Sequence, residues 1–81
     1  MESDVRVIQS LARALRNGDE SARNPLLDLF MEHNMPGFAR HFQHPLDHFQ
    51  TNCNTINDVI EAEDMEHLMK LEVSWDWTYS R

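Results

Sequence analysis

The sequence predicts a mainly α fold: four to five short helices in a small bundle, followed by a C-terminal β-strand or extended aromatic tail. Three observations carry that expectation. Apolar residues recur at helical spacing over most of the chain. Breaks at Asn17-Gly18, Asn34-Met35-Pro36-Gly37 and Pro45 cut the pattern into short pieces. After Lys70 the period changes to strict apolar–polar alternation.

Taken in order, Ser3 is a capping residue and Asp4 suits a helix first turn. Val5, Ile8, Leu11, Ala12 and Leu15 make one apolar stripe. Arg13 and Arg16 sit where a C-terminus favours cations, and Asn17-Gly18 supplies a left-handed stop, so the first helix spans about 4–17. Asp19 to Asn24 is a polar connector with room for a helical turn. Asn24-Pro25 reads as a cap followed by proline at the first helical position, opening a helix over about 25–33. Leu26, Leu27, Leu29, Phe30 and Met31 make that helix apolar nearly all round, which places it centrally in the core. Phe38, Ala39 and Phe42 suggest a short helix ending before Pro45, because the residue before proline is pushed out of helical geometry. Pro45 then starts a further turn through Leu46 and Phe49, and Thr51-Asn52-Cys53-Asn54 is a polar turn.

The last stretch, Asn54 to Arg81, opens as a helix with Thr55 as N-cap and Asp58 three residues on. Ile56, Val59 and Ile60 form one stripe; Ala62, Met65, Leu68 and Met69 form a second, rotated well away from the first. One helix burying two faces would do this, as would a kink near Glu61. Beyond Lys70, Leu71, Val73, Trp75, Trp77 and Tyr79 alternate with Glu72, Ser74, Asp76 and Thr78. Period two with β-branched and aromatic residues predicts a half-buried strand. The competing pattern is helical, since Leu68, Leu71, Trp75 and Tyr79 also fall three or four apart. Strand is favoured because Val, Thr, Trp and Tyr are the poorer helix formers. A lone strand leaves its ladder groups unpaired, so it is expected to pair with its copy in a homodimer or to add to a sheet of another protein.

Length and charge narrow the function. Eighty-one residues make one small domain, residues 1–81. Fourteen acids face seven bases for a net charge of −7. Residues 1–51 carry seven acids and five arginines, net −2; residues 52–81 carry seven acids against Lys70 and Arg81, net −5. Such a surface repels phosphate backbones, which argues against direct nucleic-acid binding, and it suits a basic protein partner. The single cysteine, Cys53, excludes an internal disulfide and points to a reducing, cytoplasmic setting. No apolar leader and no run long enough to span a bilayer is present, so no membrane association is expected.

No reaction is declared. The chain holds no HExxH, CxxC, GxSxG, P-loop or GxGxxG pattern, and neither an enzyme activity nor a cofactor is expected. His41, His44 and His48 would share a face on one uninterrupted helix, as zinc ligands do, but Pro45 interrupts it, and no metal site is assigned. Glu61, Glu63, Asp64 and Glu66 crowd the slip between the two stripes and form either a solvated face or a contact for a basic partner. With Val73, Trp75, Trp77 and Tyr79 they are the candidate protein-binding residues, because aromatics dominate contact energetics when buried. The expected function is an acidic protein-binding module, an inhibitor or adaptor that covers a basic surface on a larger macromolecular machine, one form of which is mimicry of a nucleic acid's charge. Two alternatives stand beside it. One is a helix–turn–helix-like transcriptional regulator over Leu26–His44, with Arg40 as its cation. The other is a metal-responsive protein using the three histidines.

Overall fold

The computed structural model describes residues 2–51 and 53–75, with the side chains of residues 2 and 3 not described. Among these the chain forms six α-helices: α1 (Glu2–Arg16), α2 (Arg23–Glu32), α3 (Pro36–His41), α4 (Leu46–Thr51), α5 (Asn54–Glu61) and α6 (Met65–Ser74). A 3₁₀ turn, Glu20–Ala22, leads into α2. The mainly helical class is as the sequence predicts, with more helices than the four to five expected.

Helix α1 is the scaffold. Val5, Ile8, Ala12 and Leu15 are buried, so the predicted stripe becomes one continuous inner face packed on α2, α4 and α5. Val5, Ile8 and Leu15 each contribute about 1.5–3 kcal/mol when taken fully out of water, and Ala12 less. The helix ends where expected: Gly18 takes φ +100°, a left-handed conformation that glycine adopts without steric cost. Its start differs, because α1 already includes Ser3, which is therefore not its cap. Asp19 caps the 3₁₀ turn instead, accepting from the Ser21 amide at 3.1 Å.

Helix α2 begins two residues before Pro25, and neither Asn24 nor any other side chain caps it. Only Leu26 and Phe30 are buried on it, while Met31 stands exposed, so it is a one-faced helix and not the all-round core element its composition predicts. It stops at Asn34, which adopts φ 59°. Pro36 then opens α3 at its first position, a helix starter as well as a breaker. All four phenylalanines meet across these elements: Phe30 lies 5.2 Å from Phe38 and 5.3 Å from Phe42, and Phe42 lies 5.3 Å from Phe49, ring centre to ring centre. These offset stacks tie α2, α3, the following turn and α4 into one core.

The second half corrects two expectations and decides between the alternatives of a third. Thr55 is buried inside α5 and is not its N-cap. The slip between apolar stripes is a true break: Ala62 is extended, and Asp64 starts a new helix by accepting from the His67 amide at 2.9 Å. Most important, residues 71–74 are helical, not strand, and the Trp75 amide still donates to the Leu71 carbonyl at 3.0 Å. The Asp64 cap sets the helix running, and its 3.6-residue period sends Leu68, Leu71 and Trp75 to one side. Val73, which alternation puts beside Leu71 and Trp75, is thrown to the opposite side, so the ladder-forming face does not exist over these residues. Trp77 and Tyr79 lie outside the described residues. Strand-paired homodimerisation loses its basis over residues 71–74 for the same reason. No helix among the described residues is long and apolar enough to cross a membrane.

Candidate functional site

Two groupings of chemistry-bearing side chains stand out, both of them flagged by the sequence, the second with Pro45 expected to part it. The first surrounds the α5–α6 break. Glu61 ends α5, Glu63 lies in the break, Asp64 caps α6 and Glu66 occupies its first turn; all four are exposed. Capping and acid placement are the same act here, because a carboxylate at a helix start is favoured by the exposed amides and the helix dipole. His67 closes the cap from the other side, its Nδ1 accepting from the Glu63 amide at 3.3 Å. Lys70 reaches Glu66 at 3.7 Å, an exposed pair worth little in water.

Glu63 and Asp64 also line two open clefts. One, about 310 Å³, is completed by Val5, Arg6 and Gln9 of α1. The other, about 300 Å³, is completed by Glu66, His67 and Lys70. Gln9 secures the joint between them: its Nε2 donates to the Ala62 carbonyl at 2.6 Å and to the Val59 carbonyl at 3.4 Å, occupying the C-terminal carbonyls of α5. Glu66, Met69, Lys70 and Val73, spaced three and four apart, share the outer face of α6. On that face Met69 is 50% exposed and Val73 is 82% exposed. Trp75 is half-buried on the inner side.

The inner face of α6 does structural work that the sequence does not announce. The Glu72 carboxylate accepts from the Gly37 amide at 2.7 Å and from the Phe38 amide at 3.0 Å, so it caps α3 from a different helix. Within a strand Glu72 reads as a solvated residue between two apolar ones; only the helix brings it to α3.

The second grouping is at the α3–α4 corner. His41 ends α3, His44 lies in the turn, and His48 sits on α4. Pro45 does interrupt the helix, yet the interruption folds the two helix ends together and does not part the histidines. His44 and His48 stack at 4.2 Å between ring centres, and His41 lies 5.1 Å from His44 and 5.3 Å from His48. The turn is held by Arg23, whose guanidinium donates to the Phe42 carbonyl and, at 2.7 Å, to the His44 carbonyl, while Glu20 pairs with its other side. His41 is buried against Phe42 and Phe49. Burial, and then the neighbouring His44 and His48, push its pKa down to about 4. His48 is lowered too, by burial first and then by His44, with Asp47 opposing.

A second trio, Asp4, Glu32 and His33, joins α1 to the end of α2, with His33 Nε2 at 2.9 Å from Asp4. No protein-family model, no curated protein and no solved structure matches the chain.

Proposed function

We propose that this protein is a small acidic binding module, an inhibitor or adaptor that covers a basic surface on a larger protein assembly. The observation that carries it is the outer face of α6, where the exposed apolar pair Met69 and Val73 runs alongside Glu66 and continues into Glu61, Glu63 and Asp64. Apolar side chains supply the buried centre of a contact, and surrounding charges steer the partner and set its register. Lys70 is the cation on that face, so complementarity calls for a positively charged partner with an apolar centre.

A groove-reading helix–turn–helix is less well supported. Gly37, Phe38, Ala39 and His41 of α3 are buried, which leaves only Pro36 and Arg40 facing outward from its six residues. The Glu72 carboxylate at its N-terminus adds negative charge where a phosphate would bind.

The test is capture from native lysate with wild type, Met69→Ser/Val73→Ser and Glu63→Lys/Glu66→Lys, each checked for unchanged helical content. A chain ending after Trp75 isolates the contribution of Trp77 and Tyr79 without removing the Glu72 cap. Wild type is expected to retain a discrete basic partner in a salt-sensitive manner, and both double variants to lose it. Equal retention by all three forms would show the face to be the wrong one.

A further inference from the structure

We propose that His41, His44 and His48 form a binding site for a divalent transition-metal ion of the zinc class. Each offers one ring nitrogen, and the three candidate donor atoms lie within 4.8 Å of one another. The donor set is nitrogen alone, which suits zinc, copper or nickel and discriminates against calcium or magnesium.

Two features of the corner fit a ligand set better than incidental packing. First, the Nδ1 of His44 lies 2.5 Å from the His41 carbonyl oxygen. A carbonyl oxygen only accepts, so Nδ1 carries the proton and the lone pair of the neutral ring resides on Nε2. Metal-binding imidazoles are oriented in this way, with the non-ligating N–H held by a backbone carbonyl or carboxylate. Second, the Nε2 of His48 is buried and makes no hydrogen bond to the described residues. A buried polar atom left in that condition is unfavourable, and a cation satisfies it.

Metal binding draws the set together. Tetrahedral Zn–N bonds of about 2.0–2.1 Å place nitrogen donors roughly 3.4 Å apart, so the rings must close from the present spacing. His44 and His48 are half-buried, so the closure falls to them, whereas His41 is buried in the aromatic core. Three protein ligands leave a fourth position for water or for a group from outside. The charge of Arg23, which holds the turn, is answered by Glu20. These residues are distinct from those of the acidic α6 face, so the two proposals stand or fall separately.

The experiment uses the full chain, free of any histidine tag and stripped of metal, titrated with Zn²⁺ and with Co²⁺ as a spectroscopic probe. One equivalent of Zn²⁺ is expected to bind and to raise the melting temperature. His44→Gln and His48→Gln are each expected to weaken binding at least about tenfold, while His33→Gln and His67→Gln leave it unchanged. Co²⁺ is expected to show the visible absorption of a low-coordinate nitrogen site. Should a variant fail to fold, imidazole NMR signals of the unaltered protein decide: Zn²⁺ must perturb those of His41, His44 and His48 and spare those of His33 and His67. Less than about a tenth of an equivalent bound, binding that survives both corner variants, or perturbation confined to other histidines would each overturn the site.

Discussion

Helices α1 and α6 are both amphipathic, and they are partnered in opposite ways. Helix α1 packs its apolar stripe inward, with Val5, Ile8, Ala12 and Leu15 buried and Leu11 half-buried at the margin. Helix α6 buries Leu68, uses Glu72 to cap α3, and leaves Met69 and Val73 in water. The difference separates a helix whose face is consumed by its own fold from one that spends one side on the fold and presents the other. A helix of the second kind can lose its outer apolar residues at little cost to stability, and this is the property expected of a contact surface.

The largest expected effect tests the buried side. Ile8→Ala should destabilise the protein by about 2–5 kcal/mol, and Val73→Ala should change stability by no more than about 0.5 kcal/mol. Chemical denaturation of the two variants checks both halves, and similar losses would erase the contrast.

Acid is expected to attack the aromatic core first and not the acidic helix. In the unfolded chain His41 takes a proton near pH 6.5, whereas in the folded protein it does so only near 4. Between those values the unfolded state binds more protons, so stability falls as pH is lowered through that window and is fully present above it. The loss approaches about 3 kcal/mol as an upper limit, because water entering around the ring moderates the burial that causes most of the shift. Asp58 works in the opposite sense: burial, then Glu61, raises its pKa, against His67, so its contribution improves as pH falls. Denaturation of metal-free protein at pH 7 and pH 4.5 should show the net loss, and His41→Gln should flatten it. An unchanged slope in that variant would place the acid-labile group elsewhere.

The smaller effect probes the link between the regions. Glu72→Gln keeps a single acceptor of similar shape but removes the charge facing the Gly37 and Phe38 amides, and it should cost about 1 kcal/mol. Amide exchange is the sharper readout, with faster exchange expected at the start of α3 and no change across α1. Uniform acceleration would mean that α6 supports the whole fold and not one helix end.

What was legible in the residues was mostly local. The α1 stripe and the Gly18 stop follow from spacing and from one conformational requirement, and the structure has both. The start of a helix after Pro45 is equally local. The α6 error has a definite cause: Leu71, Val73 and Trp75 satisfy period two, and Leu68, Leu71 and Trp75 satisfy a helical period, so propensity was left to choose between them. Asp64, seven positions before Leu71, starts α6 as its cap, while its composition alone suggests only an acidic face. The same acid therefore belongs both to a helix start and to the candidate contact surface. The Gln9, Arg23 and Glu72 tethers left no signal, since a polar side chain that reaches another helix looks in sequence like one that faces water.

By itself, then, the order of residues determined that the chain is helical, acidic and broken at Gly18, Asn34 and Pro45, because stripe, stop and proline act within a few residues of themselves. Tertiary structure alone decided which face of α6 remains outside, and that His41, His44 and His48 converge across a turn instead of along a helix. The reason is common to both: a side chain's direction is set by the element it rides on, but its neighbours are set by how that element docks, and docking depends on residues far away in the chain.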